Sequence, residues 1–231
     1  MNKKNPFKYF KTSPEIIKLA VMYYIRYPLS LRQVEDILAE RGIDVTHETI
    51  RFWWNRFGPI FAKEMKQRSG NEHSNWRWHI DEVFVRINGV QHYLWRAIDQ
   101  EGTVLDSVVT KRRDKRSALK LLKKLLSEYG SPDEIVTDKL GSYRAALRDL
   151  GIPQCHETGQ YKNNQSENSH LHFRRRERAM GRFRSMGSLQ KFTAIHAAMF
   201  NHFHHQRHLE RRSTFKSLRA QSFADWQGLA V

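Results

Sequence analysis

Three acidic residues far apart in the chain carry the strongest chemical signal: Asp81 within Trp-His-Ile-Asp-Glu, Asp138 within Ile-Val-Thr-Asp-Lys, and Glu167 within Asn-Asn-Gln-Ser-Glu-Asn-Ser-His. Asp81 interrupts an apolar alternation from Ile80 to Ile87, which places it in a strand on the face of Val83, Val85 and Ile87. Asp138 ends a short apolar strand, Glu134 to Thr137, ahead of a helical stretch starting near Gly141. The carboxyl end of a strand is where open α/β sheets bind ligands. Glu167 begins a helix in which His170, Leu171, Arg174 and Arg178 recur at helical spacing, so the glutamate and two arginines share a stripe. Carboxylates converging from two strands and a helix repel one another unless cations lie among them, and oxygen-only donor sets suit hard divalent ions such as Mg2+ or Mn2+. Two such ions can clamp the attacking and leaving oxygens of a phosphodiester during in-line displacement.

Charge points to the same class of substrate. The 231 residues hold 40 Lys plus Arg against 24 Asp plus Glu, a formal net charge of +16, which favours a polyanion. A hydrophobic content of 39% with 12% aromatic residues argues against disorder and allows one sizeable core with a small accessory domain. Cys155 is the only cysteine, which excludes an intramolecular disulfide and a cysteine-rich zinc site and fits a reducing compartment. No signal peptide or membrane span is read, and the expected location is cytoplasmic and nucleoid-associated.

The elements that must position these residues are legible in order. Residues 1–12 read as a loose basic and aromatic arm. Ser13-Pro14 opens a helix with Ile16, Ala20, Tyr23 and Tyr27 inward, ended by Pro28. Ser30 and Gln33 form a capping box for a second helix with Leu31, Val34, Ile37 and Leu38 inward and Gly42 just beyond. Thr46 caps a third, whose apolar face is Ile50, Trp53, Trp54 and Phe57, stopped by Gly58-Pro59. Three short helices with such a turn resemble a helix-turn-helix. The opposite face of the third helix carries Glu48, Arg51, Phe52 and Asn55, with His47 and Arg56 at its margins, and arginine and asparagine can each bond a base edge bidentately. The competing reading is a solvated face of a small bundle, and Phe52 equally reads as a packing contact with the next domain.

A boundary is expected near residue 70, followed by strands over about 78–87, 90–98 and 103–110 joined by Asn88-Gly89 and Glu101-Gly102 hairpins. An amphipathic helix from Lys115 to Tyr129 through Leu119, Leu122 and Leu126 follows, then a strand to Asp138, a helix over 142–150, a strand over 152–156 and the Glu167 helix. Three antiparallel strands, helix, strand, helix, strand, helix is the order of the ribonuclease-H-like α/β fold. The expected division is an N-terminal all-α helix-turn-helix domain (1–68), a catalytic core with its C-terminal helices (69–212) and a tail (213–231) in which helical period is lost.

With those blocks in that order, the chain resembles bacterial insertion-sequence transposases with an Asp-Asp-Glu active site, the insertion-sequence-six family above all, from about residue 6 to about residue 208. The resemblance implies a DNA transposase that binds the terminal inverted repeats of its element and performs strand cleavage and strand transfer, with two Mg2+ or Mn2+ ions held by Asp81, Asp138 and Glu167. It gives Arg174, seven residues after the glutamate, a DNA contact beside the reacting phosphate. The expected DNA contacts are His47, Glu48, Arg51, Asn55 and Arg56 in the reader helix and Lys139, His170, Arg174 and Arg178 in the core. Joining two ends of double-stranded DNA in one event implies a homo-oligomer, at least a dimer. Ser169 stands where relatives carry an acidic residue, which speaks against a fourth carboxylate.

Blander readings compete for individual residues. Glu82 points to the strand face opposite Asp81 and is set aside; Asp138 alone could be a helix cap; Asp99 and Asp106 read as turn and strand-surface residues. Arg174-Arg175-Arg176 alone reads as a solvated basic face. His202, His204, His205 and His208 fit the polar end of a helix with Leu189, Phe192, Ile195, Met199 and Phe203 inward better than a zinc site. Two other functions stay open: a DNA-binding regulator with an inactive core, and a nuclease acting on RNA–DNA hybrids.

Overall fold

The computed structural model describes residues 5–68, 76–138, 140–158, 164–181, 183–205 and 209–230, with the side chains of residues 164–168 outside that set. Its elements are α1 (Pro14–Arg26), α2 (Leu31–Ala39), α3 (His47–Arg68), β1 (Arg77–Ile87), β2 (Val90–Asp99), β3 (Val104–Thr110), α4 (Lys115–Tyr129), β4 (Glu134–Thr137), α5 (Gly141–Asp149), β5 (His156–Thr158), α6 (Asn164–Met180), α7 (Met186–Phe203) and α8 (Arg212–Gln227). They fall into two compact units. One comprises residues 71–175 and 182–197, the other 1–70, 176–181 and 198–231. This differs from the expected three-part division in giving the C-terminal segment to the helical unit.

In the α/β unit, Asn88 and Gly89 take φ of 51° and 81°, the backbone a two-residue hairpin turn requires. That turn fixes the β1–β2 register, with Ile87 opposite Val90 and Asp81 opposite Arg96. The sheet order is β3-β2-β1-β4-β5, with β1, β2 and β3 antiparallel and β4 and β5 added in parallel after helical crossovers. This is the ribonuclease-H-like topology. On one sheet face Trp78, Ile80, Trp95 and Ala97 pack against Leu121, Leu122 and Leu125 of α4 and Tyr143, Ala146 and Leu147 of α5. Two of the leucines expected inward on α4, Leu119 and Leu126, lie at the margin of that core.

β4 covers little of β1. Only Arg77, Trp78 and His79 pair with Glu134, Ile135 and Val136, so β1 runs on for eight residues without a strand on that side. The bared edge is met instead by Arg174 Nη2, which donates to the Phe84 carbonyl at 2.6 Å, and by a parallel bridge between Ile87 and Phe183. Asp106 is buried, contrary to its strand-surface reading, while Asp99, read as a turn residue, does serve the turn and is buried there. Asp99 accepts the amides of Glu101 (2.9 Å) and Thr103 (2.8 Å) to close the β2–β3 turn, and Asp106 pairs with Lys124 of α4.

The helical unit departs from its sequence pattern in three places. The inward face of α1 is Ile17, Ala20, Val21, Tyr24 and Ile25, one position on from the expected stripe, while Tyr27 is exposed. α3 continues through Gly58-Pro59 to Arg68, because Phe61, Ala62 and Met65 beyond the proline are buried and their packing outweighs one lost helical hydrogen bond. Residues 212–227 form α8 rather than a tail: Trp226 is fully buried with its ring edge-on to Phe61 at 5.2 Å, and Arg68 holds the Asp225 (3.0 Å) and Gly228 (2.6 Å) carbonyls. His202 and His205 each bond Ser222 of α8 at 2.8 Å, and His204 stacks on Phe200 at 4.4 Å; His208 lies outside the described residues. Arg176 is buried as well, its Nη1 donating to the Leu29 carbonyl at 2.9 Å and its guanidinium 5.1 Å from the Tyr24 ring centre.

Candidate active site

The β1–β4 register explains why two distant aspartates meet. His79 pairs with Val136, so two residues further on Asp81 falls beside Asp138, past the last ladder pair. Registered residues on parallel neighbours share a face, and the early stop of β4 leaves Asp138 just past its strand end beside Asp81, on the stretch of β1 that β4 does not cover. Ligand-capable oxygens of Asp81, Glu82 and Asp138 all lie within 4.8 Å of one another, and among the described residues this is the group of three acidic or histidine side chains able to hold a metal ion. The donors are all carboxylate oxygens, which fits a hard divalent cation.

Each carboxylate has a distinct setting. Asp81 Oδ1 accepts the Glu82 amide at 2.8 Å, and its Oδ2 lies 3.9 Å from His170 Nδ1. Asp138 Oδ1 accepts the Leu140 amide at 2.9 Å, and its Oδ2 accepts Arg113 Nη2 at 3.0 Å. Glu82 does project from the face opposite Asp81, beside Trp95 in register, yet its carboxylate joins the cluster. Its Oε1 is paired with Arg113 and its Oε2 accepts the Tyr143 hydroxyl at 2.9 Å. Burial raises the Glu82 pKa; the Tyr143 hydrogen bond, acting the other way, does not cancel it. Tyr143 is fully buried, and burial followed by the nearby Glu82 pushes its hydroxyl pKa well up. For Arg113, burial disfavours the charge, but Glu82 and Asp138 outweigh it and the net shift is upward.

α6 runs past Asp81. His170 is largely buried, its Nε2 has no hydrogen-bond partner among the described residues, and burial, then Arg96 and Arg174, bring its pKa down to about 3. A neutral imidazole therefore faces Asp81. Arg96, opposite Asp81 in the β1–β2 ladder, is itself buried, and burial lowers its pKa to about 10. Glu167 lies in the first turn of α6, three residues before His170, and its side chain, like Lys139 as a whole, is outside the described residues. Arg174 is half-buried against β1, and Arg178 is exposed.

The expected reader residues lie on α3 in the helical unit. His47 Nδ1 is 2.9 Å from Glu35 of α2, Glu48 pairs with Arg51 at 2.8 Å, and Asn55 donates to the Arg51 carbonyl at 2.9 Å. Arg51 and Asn55 are exposed, Arg56 lies 5.6 Å from the Phe10 ring centre, and the exposed Phe52 stacks on Phe10 at 6.1 Å.

Glu82 and Arg113 are the site residues that sequence reasoning missed. The available signal was positional: Asp114 caps α4 through the Ser117 amide at 2.9 Å, which fixes Arg113 as the residue just outside the helix, at the carboxyl end of β3.

The site is thus an acidic cluster of Asp81 and Glu82 from β1 and Asp138 from just beyond β4, on a ribonuclease-H-like sheet. A family model described as a DDE domain, of insertion-sequence transposases, matches residues 75–206. The transposase for insertion sequence-like element IS431mec of Staphylococcus aureus is 36% identical over 178 residues, covering 75% of this chain and 79% of that protein. The transposase for insertion sequence element IS257 in transposon Tn4003, also from Staphylococcus aureus, matches to the same extent. The catalytic core of HTLV-2 integrase in complex with magnesium is 14% identical, covers 62% of this chain and 93% of its own, and superposes weakly, with a TM-score of 0.39. On the sequence matches, this chain belongs to the DDE-domain family of insertion-sequence transposases. No helix among the described residues is long and apolar enough to cross a membrane.

Proposed function

We infer that the chain is a transposase that binds the terminal inverted repeats of its own insertion sequence in double-stranded DNA and cuts and joins strands at one metal-dependent site. The observation that carries this is the meeting of Asp81, within β1, and Asp138, just past the end of β4, their oxygens within 4.8 Å, in a chain of this family. Asp81, Asp138 and Glu167 would hold two Mg2+ or Mn2+ ions, whose chemistry is to activate a water or 3′-hydroxyl and to neutralise the charge of the phosphodiester. Support for Glu167 comes from His170: residues three apart share a helix face, and His170 lies 3.9 Å from Asp81.

The chain's own residues do the rest. The half-buried Arg174, tied to the Phe84 carbonyl, places a positive charge on the α6 stripe that carries Glu167, where a scissile phosphate would sit. Lys139 and Arg178 would add backbone contacts. The excess of 40 basic over 24 acidic residues gathers DNA with a steep salt dependence. α1–α3 serve as the helix-turn-helix reader, with Arg51 and Asn55 toward base edges and His47, Glu48 and Arg56 framing them. Pairing two element ends requires a homo-oligomer, at least a dimer, acting on cytoplasmic, nucleoid-associated DNA.

The test is incubation of the chain with a labelled terminal repeat, with and without Mg2+ or Mn2+, and separation of nicked and joined products. Metal-dependent nicking and joining by the wild type, lost in Asp81→Asn while repeat binding persists, is the expected result. Repeat binding without any product would leave a regulator, and preferential cutting of RNA–DNA hybrids a nuclease.

A further inference from the structure

Arg113 lies where two carboxylates can be joined by one side chain. Its Nη2 contacts Glu82 and also donates to Asp138 Oδ2 at 3.0 Å, while its Nε donates to Glu82 as well. Glu82 is a rigid support for such a bridge: its side chain is 1% exposed, and its other oxygen is taken by Tyr143 at 2.9 Å. Tyr143 is in turn fixed against the Trp95 ring, edge to face at 5.4 Å. A continuous chain of contacts therefore runs from the core of the sheet to Asp138. Asp138 needs it, because it lies beyond the end of β4 with its side chain 38% exposed, and only its Oδ1 is fixed locally, by the Leu140 amide.

We propose that Arg113 is a positioning residue: anchored on Glu82, it holds Asp138 in the orientation that receives a divalent cation, and Glu82 is the anchor rather than a third ligand. Two observations separate anchor from ligand. The Glu82 side chain is 1% exposed with both oxygens on protein donors, whereas Asp81 and Asp138, although they too accept protein hydrogen bonds, keep side-chain exposures of 17% and 38%. The charges also fit: Arg113 neutralises Glu82, so Glu82 adds no net charge to the proposed ligand set of Asp81, Asp138 and Glu167. The planar guanidinium spans two carboxylates with donors in a fixed fork, which an ammonium cannot reproduce. The inference rests on Asp81 and Asp138 being metal ligands.

Mn2+ binding to the full chain, followed by calorimetric titration, tests it with a readout independent of turnover; thermal unfolding of each variant reports folding. Arg113→Gln and Glu82→Gln are expected to weaken Mn2+ binding by about 10- to 100-fold, the range for losing a group that orients a ligand. Arg113→Lys should fall between Arg113→Gln and wild type. The double variant Arg113→Gln with Glu82→Gln should bind no worse than either single one, because both act through one link, and it strands no buried charge if a single variant fails to fold. Wild-type Mn2+ affinity in both single variants would overturn the proposal. So would Glu82→Gln abolishing binding as fully as Asp81→Asn while Arg113→Gln binds normally, since Glu82 would then be a ligand. Absence of Mn2+ binding by the wild type, with no metal-dependent products, instead overturns the metal reading beneath it.

Discussion

In the α/β unit the polar groups that matter are held from within: Glu82, Tyr143 and Arg96 are buried beside the two aspartates. In the helical unit the core is a run of aromatic rings, Phe7 on Phe57 at 4.9 Å and Phe61 on Trp226 at 5.2 Å among them, and the polar residues of α3 pair with one another at the surface. The contrast fits two tasks. Cutting a phosphodiester needs oxygens preplaced to a fraction of an ångström, whereas reading a duplex needs side chains that can exchange local partners for base edges.

The sharpest way to break this comparison is Asp138→Asn. Cleavage of a saturating terminal repeat is expected to fall by at least about 10²–10³-fold, the scale for losing a group aimed at transition-state charge, with repeat affinity kept. A parallel loss of affinity would mean that the site also reads DNA. Next comes Trp226→Ala, which should destabilise the helical unit by about 3–5 kcal/mol in denaturant titration, as expected for a fully buried tryptophan. A change below about 1 kcal/mol would return α8 to the status of a tail. Arg51→Ala and Asn55→Ala should each weaken repeat binding by about 1–3 kcal/mol while leaving the cleavage rate at saturating DNA and the melting temperature unchanged. Loss of rate at saturation would contradict the division of labour.

A smaller effect comes from pH. The His170 pKa is depressed from 6.5 to about 3, so between those values the unfolded chain binds the extra proton and the folded chain does not. Its contribution to stability is therefore complete above pH 6.5 and lost as pH falls toward 3, and His170→Gln should flatten that part of the stability profile. Smallest of all is Glu48→Ala. Its pairs with Arg51 and His47 are exposed and worth under about 1 kcal/mol, so stability should hardly move while repeat affinity rises as Arg51 is released.

Local signals carried most of the α/β unit. The Asn88-Gly89 turn, the alternation in β1 and the strand end at Thr137 each encode their own geometry, and family blocks around Asp81 and Asp138 marked the site. Arg113 was hidden because Lys111-Arg112-Arg113 has the composition of a solvated basic run, and only the Asp114 cap and the sheet register bring it over Glu82. Glu82 was set aside by strand alternation, which gives the direction of a side chain's first bond but not how far a glutamate's longer side chain can reach. In the helical unit, tertiary packing overrode local rules: Gly58-Pro59 reads as a stop yet lies mid-helix, and α8 is tied down by few buried residues, too sparse to show a period.

The brevity of β4 bears on how this sheet can change. Extra residues that extended the β4 ladder along β1 would compete with Arg174 for the Phe84 carbonyl and draw Asp138 into regular pairing, closing the notch where a sugar-phosphate strand would enter. The length of the segment that follows Thr137 is therefore under tight constraint, and a homologue with a longer β4 should prove a scaffold without nuclease chemistry.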